Sequence, residues 1–191
     1  MVVPVIRPMR AGDVAETLAA FASVADEGLW LGTQPGFDRT ARASAWLEGL
    51  HDPRRRSLLV VDPDNGQIVG NGSLHLAGYG VAEVGMSLVA AARGRGFGRV
   101  LLDALIEASR ELGAHKVELQ VWPHNTPAVE LYLSRGFVVE GRIRAHYRRA
   151  DGRLWDAILM GLLLDPALAD RMRGSGLPDA PGLPVALDIS G

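Results

Sequence analysis

The stretch Arg93-Gly94-Arg95-Gly96-Phe97-Gly98 lies between a strand-length apolar run, Val84 to Val89, and a helical pattern that begins near Arg99. Leu101, Leu105, Ala108 and Leu112 follow at i, i+4, i+7 and i+11 and line one helical face. Three glycines and two arginines therefore stand at a strand-to-helix junction. A helix start carries unpaired N–H groups and partial positive charge, so it holds anions. Glycine lets the backbone come close to a ligand because no Cβ intervenes. The stretch reads as a phosphate cradle. The G-x-G-x-G spacing is not the G-x-G-x-x-G of dinucleotide folds, and the Gly-Lys-Ser/Thr of a P-loop is missing.

Composition narrows the setting. The chain has 191 residues, 48% apolar and 22% charged, with a net charge of −2. That suits one globular domain with a real core and gives no global pull toward nucleic acid or an anionic membrane surface. There is no cysteine, which excludes disulfides, thiolate metal sites and a Cys nucleophile. No apolar run reaches the length of a membrane span, and MVVPVIRPMR has no signal-peptide core. The expected location is cytoplasmic. The five histidines form no HxxxH-type pair, so no metal is expected.

In order, Val2 to Ile6 reads as a strand. Asp13 to Glu16 has capping-box form before a stripe of Val14, Leu18, Phe21 and Ala25. A loop holding Trp30 and Phe37 leads to a second helix from near Asp38 to about His51. Ser57 to Asp62, a Pro63-Asp64-Asn65-Gly66 turn and Gln67 to Leu76 make a hairpin, with Gly70 and Gly72 weakening or bulging its second strand. Val81 to Val89 is the strand before the glycine loop. Lys116 to Trp122 alternates, with Val117, Leu119 and Val121 on one face and Glu118, Gln120 and Trp122 on the other. Thr126-Pro127 opens a short helix that closes at Gly136. Phe137 to Ile143 and Trp155 to Leu164 are the last strands, and Gly174 to Gly191 is a Gly- and Pro-rich tail without apolar period. The domain is expected over 1–165, with 166–191 a partly disordered tail. The order β-α-α-β-β-β-α-β-α-β-β calls for an α/β fold with a mixed central sheet and helices on both faces.

A second cluster stands about 30 residues beyond the glycine loop: Asn125-Thr126-Pro127-Ala128-Val129-Glu130-Leu131-Tyr132, then Gly136-Phe137. Read as Arg93-x-x-Gly96-x-Gly98, the first motif resembles the pyrophosphate loop of the GNAT superfamily of N-acetyltransferases. The second matches that family's Asn-x-x-Ala-x-x-Leu-Tyr-x-x-x-Gly-Phe at every named position. The resemblance covers roughly Ile6 to Leu164 and is sharpest from Glu83 to Phe137. It implies a mostly antiparallel sheet of about seven strands, splayed in the middle.

The resemblance also implies a chemistry. The acetyl donor would be acetyl-CoA, and a primary amine would attack it directly in a ternary complex, without an acyl-enzyme. The pyrophosphate would meet the N–H groups from Gly94 to Arg99, within the loop Arg93, Gly94, Arg95, Gly96, Phe97, Gly98 and Arg99, with Arg95 and Arg99 adding charge. Met86, Ser87 and Leu88 would offer the strand edge that the pantetheine pairs with, and Asn125 would bond it. Tyr132 matches the family's general acid; a phenol is protonated at neutral pH and can donate to a leaving thiolate. The ribosomal-protein branch places a basic Glu five residues before the Asn, where this chain has Gln120. Another branch, of amino-acid and phosphinothricin acetyltransferases, has a Glu where Glu83 stands. Glu83 is thus the candidate base, with Glu118 or a water as alternatives.

By strand alternation Glu83, Gly85 and Ser87 share a face, and Gly85 leaves room beside Glu83. Arg142, Arg144, Arg148 and Arg149 read as a solvated hairpin. The expected acceptor is a small amine or amino acid. A protein N-terminus or lysine is one alternative, and a non-catalytic acyl-CoA-binding module is another. A homodimer would use the apolar final strands and the arginine-rich hairpin.

Overall fold

The computed structural model describes residues 2–165 and 167–168. The expected tail falls outside the described residues. Seven strands form one sheet in the order β1-β2-β3-β4-β5-β7-β6. They are β1 (Val5–Pro8), β2 (Arg55–Val61), β3 (Ile68–Leu76), β4 (Val81–Leu88), β5 (Lys116–Val121), β6 (Val138–Arg148) and β7 (Leu154–Leu163). The helices are α1 (Val14–Asp26), α2 (Arg39–Gly49), α3 (Phe97–Glu111) and α4 (Thr126–Ser134). Every neighbouring pair is antiparallel except β4 and β5. The expected fold class and element order are what the structure has. Among the described residues no helix is long and apolar enough to cross a membrane.

Two packed layers hold the sheet. On one face Leu101, Leu102 and Leu105 of α3 are fully buried against Val60, Leu74, Ala82 and Val117. A Cβ at Gly72 would sit 2.7 Å from Leu105 Cδ1, so this glycine serves the close approach of α3 to β3 rather than a bulge. The bulge in this strand lies beside Gly70 instead, where Val69 is left unpaired between the pairs Val60–Gly70 and Val61–Ile68. A smaller cluster of Met9, Val14, Leu59 and Ile68 lies under Trp46 of α2 and Leu50 just after it.

The capping box at Asp13 is replaced by longer-range bonds. Arg7 donates to both Asp13 oxygens at 2.7 and 2.8 Å, and the Arg10 N–H donates to Asp13 as well. Glu16 accepts instead from the Ile68 N–H at 2.8 Å, tying α1 to the start of β3. The Arg7 guanidinium, and then the Arg10 N–H, hold the Asp13 carboxyl well below its usual range, at about 2.

The feature that matters for a ligand is the split between β4 and β5. They pair in parallel only from Val81–Lys116 to Glu83–Glu118. On its other side β4 stays paired with β3 as far as Leu88. Beyond Glu83 the inner edge of β4 therefore has no strand against it, and the sheet opens as a V. β6 runs longer than the sequence indicates. It carries a bulge between Ile143 and Tyr147, with Ala145 at φ 52° and its N–H donating to Asp156. Such a bulge re-aims the strand, and here it turns Tyr147 and the residues after it toward the mouth of the V.

Candidate active site

The glycine loop starts α3 at Phe97, two residues earlier than the apolar stripe indicates. Gly94 and Gly96 have φ of 73° and 85°, the left-handed region in which a Cβ is strained. This geometry turns successive N–H groups outward. Among the described residues, those of Gly94, Arg95, Gly96, Phe97 and Gly98 donate to no backbone or side-chain acceptor, whereas the Arg99 N–H returns to Gly96 O at 3.2 Å. The row of N–H groups without a protein acceptor thus runs from Gly94 to Gly98.

The three arginines divide their tasks. Arg95 turns away from the cleft onto Asp62, at 2.5 Å, and Asp64, at 3.2 Å, in the β2–β3 turn, and stacks over Phe97. Arg95 first of all, and then the Asp64 N–H, hold the Asp62 carboxyl below the usual carboxylate range. Arg93 binds Glu27 through two bonds of 2.6 and 2.8 Å and the Leu88 carbonyl through a third. Glu27 also accepts from Trp30 Nε1 at 2.6 Å. Arg99, exposed at the cleft rim, is the arginine left for a ligand's charge. Phe97 is wholly buried and lies outside the cavity lining.

Two cavities meet in the V. The larger, about 560 Å³, runs from Arg93, Gly94, Gly96, Gly98 and Arg99 past Met86, Ser87 and Leu88 to Asn125, Leu131 and Tyr132. The smaller, about 180 Å³, lies between Val84, Gly85 and Met86 of β4 and Gln120 and Val121 of β5. It is closed by Trp30, Trp122 and Tyr147. Trp30, Leu31, Met86, Asn125 and Tyr132 line both.

Asn125 precedes α4 at the cap position, yet its side chain caps nothing, which leaves the amide available to the cleft. Tyr132 is 8% exposed, and its hydroxyl bonds to no protein group among the described residues. Burial pushes its phenol up to about 12. Ser87 is buried, and its hydroxyl donates to Asn71 at 2.8 Å, so only its backbone is open to a ligand.

Glu83 is exposed at the apex of the V, level with His75 of β3 and Glu118 of β5, and lies outside the lining of either cavity. Glu118 is engaged by Lys116 at 3.3 Å, and Lys116 also binds Glu140 at 2.6 Å. Gln120 is exposed and accepts from the Tyr147 hydroxyl at 3.0 Å. Among the described residues no group of three His, Asp or Glu side chains could hold a metal.

Sequence reading missed what holds the loop around Trp30 in place. Arg149, read as part of a solvated hairpin, is 6% exposed. It donates to the carbonyls of Gly28 at 3.0 Å and Leu31 at 3.1 Å, and lies 4.3 Å from the centroid of the Trp155 ring. Gln34 bonds both the Arg148 carbonyl and the Ala150 N–H, and His124 meets the Leu29 carbonyl at 3.0 Å. These bonds fix the 28–34 loop, which carries the shared wall residues Trp30 and Leu31. The local sequence holds no signal for them, because every partner is distant along the chain.

A mixed sheet split at its one parallel pair, with a glycine loop and helix start beside the split, is the architecture that the resemblance to the N-acetyltransferases implies. Residues 24–137 match the model of the Acetyltransferase (GNAT) family, and the chain belongs to that family. It is 32% identical over 120 residues to the uncharacterised N-acetyltransferase p20 of Bacillus licheniformis, an overlap of 61% of this chain and 65% of that protein. Its fold is similar to that of a phosphinothricin acetyltransferase from Sinorhizobium meliloti solved with acetyl-CoA. That match has a TM-score of 0.75 and 18% identity, over 84% of this chain and 88% of the other. It is also similar to a spermidine N-acetyltransferase from Vibrio cholerae solved with CoA and spermine. Here the TM-score is 0.73 and the identity 23%, over 84% and 95% of the two chains.

Proposed function

We propose that this protein transfers an acetyl group from acetyl-CoA to a small primary amine by direct attack in a ternary complex. The observation that carries the reading is the meeting of the two cavities at Met86, Asn125 and Tyr132, with the row of free N–H groups at the far end of the larger one. The pyrophosphate rests on the N–H groups of Gly94 to Gly98, with Arg99 adding charge. The pantetheine lies along the unpaired edge of β4 at Met86, Ser87 and Leu88 and bonds Asn125. This places the thioester where the cavities join.

The amine enters through the smaller cavity. Its nitrogen bonds to the acetyl carbon, the C–S bond breaks, and the amine's extra proton leaves toward Glu83. Because Glu83 stands outside the cavity lining, that proton passes through water. The departing thiolate takes a proton from Tyr132, which its raised pKa keeps neutral throughout the working pH range. An N–H on the open edge of β4 polarises the carbonyl.

The test is calorimetry with acetyl-CoA beside thiol release over an amine panel. Micromolar binding with turnover of at least one amine is expected. Tight binding with no turnover on any amine would make the protein an acyl-CoA-binding module instead.

A further inference from the structure

The smaller cavity carries information about the acceptor that the donor motifs do not. None of its lining side chains is charged. Its wall is aromatic and held in place: Trp122 packs edge-on against Tyr147, with centroids 4.6 Å apart, and against Trp155 at 5.5 Å. Of its two amides, Asn125 is given to the pantetheine in the reading above, and Gln120 has its carbonyl oxygen taken by the Tyr147 hydroxyl, so the free group at Gln120 is the NH₂ donor. A donor does not welcome a second ammonium.

The cation behind this wall, Arg149, cannot serve as a carboxylate clamp. It is 6% exposed, its N–H groups are spent on the carbonyls of the 28–34 loop, and it lies 5.9 Å from the centroid of the Trp122 ring. Its charge also opposes a second positive charge in the cavity. Among the described residues, the carboxylates of the sheet lie outside the lining of this cavity: Asp156 of β7 is held by Arg142 and the Ala145 N–H, and the others stand beyond Gly85. Glu118 and Glu140 there are held by Lys116, which leaves Glu83 for the reacting nitrogen. A charge carried into such a cavity without a partner is costly, whereas a flat apolar group meets ring faces and edges.

We infer that the acceptor is a small primary monoamine whose remainder is uncharged and aromatic or apolar, rather than a polyamine or a free amino acid. The inference rests on the acetyl-transfer reading above.

The experiment compares phenethylamine, phenylalanine and spermidine as acceptors, by thiol release and product mass, with acetyl-CoA binding measured separately by calorimetry. Phenylalanine adds a carboxylate to the phenethylamine skeleton, and spermidine adds further ammonium groups. The expected kcat/KM for phenethylamine exceeds both others by about 30-fold or more, the scale of an unpartnered polar group in a specificity pocket. Equal or better use of phenylalanine or spermidine would overturn the inference and leave acetyl transfer standing. Acetyl-CoA binding with none of the three acetylated also overturns it. Failure to bind acetyl-CoA removes the underlying reading, and the inference with it.

Gln120→Glu supplies the missing carboxylate. It should move the spermidine-to-phenethylamine ratio of kcat/KM by at least about tenfold toward spermidine. An unchanged ratio would show that this cavity does not select the acceptor.

Discussion

Between Gly94 and Gly98 the cleft wall is glycine backbone, at Gly94, Gly96 and Gly98, within a run of five N–H groups that meet no protein acceptor among the described residues. Between Gly28 and Gln34 the wall is a loop whose shape is set by Arg148, Arg149 and Ala150, partners 114 to 121 positions away. On the proposed reading, the donor half is local and made of backbone, and the acceptor half is non-local and made of side chains. A backbone cradle tolerates change in most of its side chains but not in its glycines, whereas a strapped loop depends on the strap. Damage to the two halves should therefore appear in different constants.

The largest effect is expected at Gly96, which stands at φ 85° at the mouth of α3. Asp tolerates this backbone region better than most residues, so Gly96→Asp should fold. It sets a negative charge among the N–H groups proposed to hold the pyrophosphate, and acetyl-CoA affinity by calorimetry should fall at least ~100-fold. Gly96→Asn has nearly the same shape without the charge and should lose far less. Near-normal affinity in the Asp variant would break the assignment of the donor half.

Tyr132→Phe comes next. The phenol sits where the halves meet, so its loss should spare acetyl-CoA binding and lower kcat by about 10- to 100-fold, the usual weight of a general acid. Unchanged turnover would return Tyr132 to the core, where it packs against Phe137 at a centroid distance of 5.8 Å.

The legibility of the chain follows the same division. The strand order, the glycine loop and the Asn125–Tyr132 cluster could be read because their residues are neighbours along the chain and obey helix or strand periods. Near Asp13 the local cap pattern was present, but Arg7 and the Ile68 N–H claimed its carboxylates. Arg149 looked like a hairpin charge, and nothing local announces that a bulge at Ala145 turns its part of the strand inward. Gly72 looked like a weakened strand because the helix it accommodates lies about 30 positions later. Sequence patterns report a residue's near neighbours, and the acceptor half is built from far ones.

Arg149→Met tests the strap. It removes charge-assisted bonds to part-buried carbonyls, a cost of about 3 kcal/mol, or roughly 6–12 °C in Tm for a chain of this size. The kinetic expectation is selective: the acceptor KM rises by about tenfold while acetyl-CoA affinity changes less than about twofold. Equal losses in both constants would mean that the halves are not separately held. Glu83→Gln should lower the rate by about tenfold near pH 6 and converge on the parent above pH 9, where the free amine is abundant without a base. A pH-independent deficit would assign Glu83 a binding role instead.

The smallest effect is expected at the contact that joins the halves. Glu27, at the end of α1, takes two bonds from Arg93 of the glycine loop and one from Trp30 of the acceptor wall. The Arg93 bonds first, and the Trp30 bond with them, hold its carboxyl below the usual carboxylate range. A carboxyl lowered in the folded state stabilises that state at every pH above its unfolded value, and the contribution fades as pH falls toward the folded value. The pair is about one-third exposed, at 34% and 29%, so solvent screens it, and Glu27→Gln should cost under about 1 kcal/mol. Its signature is distribution rather than size. Because Glu27 touches both walls, acetyl-CoA affinity and acceptor KM should each worsen by about two- to threefold, and added salt should shrink both deficits together. A loss confined to one constant would show that Arg93 braces only that half, and that the donor and acceptor walls move independently.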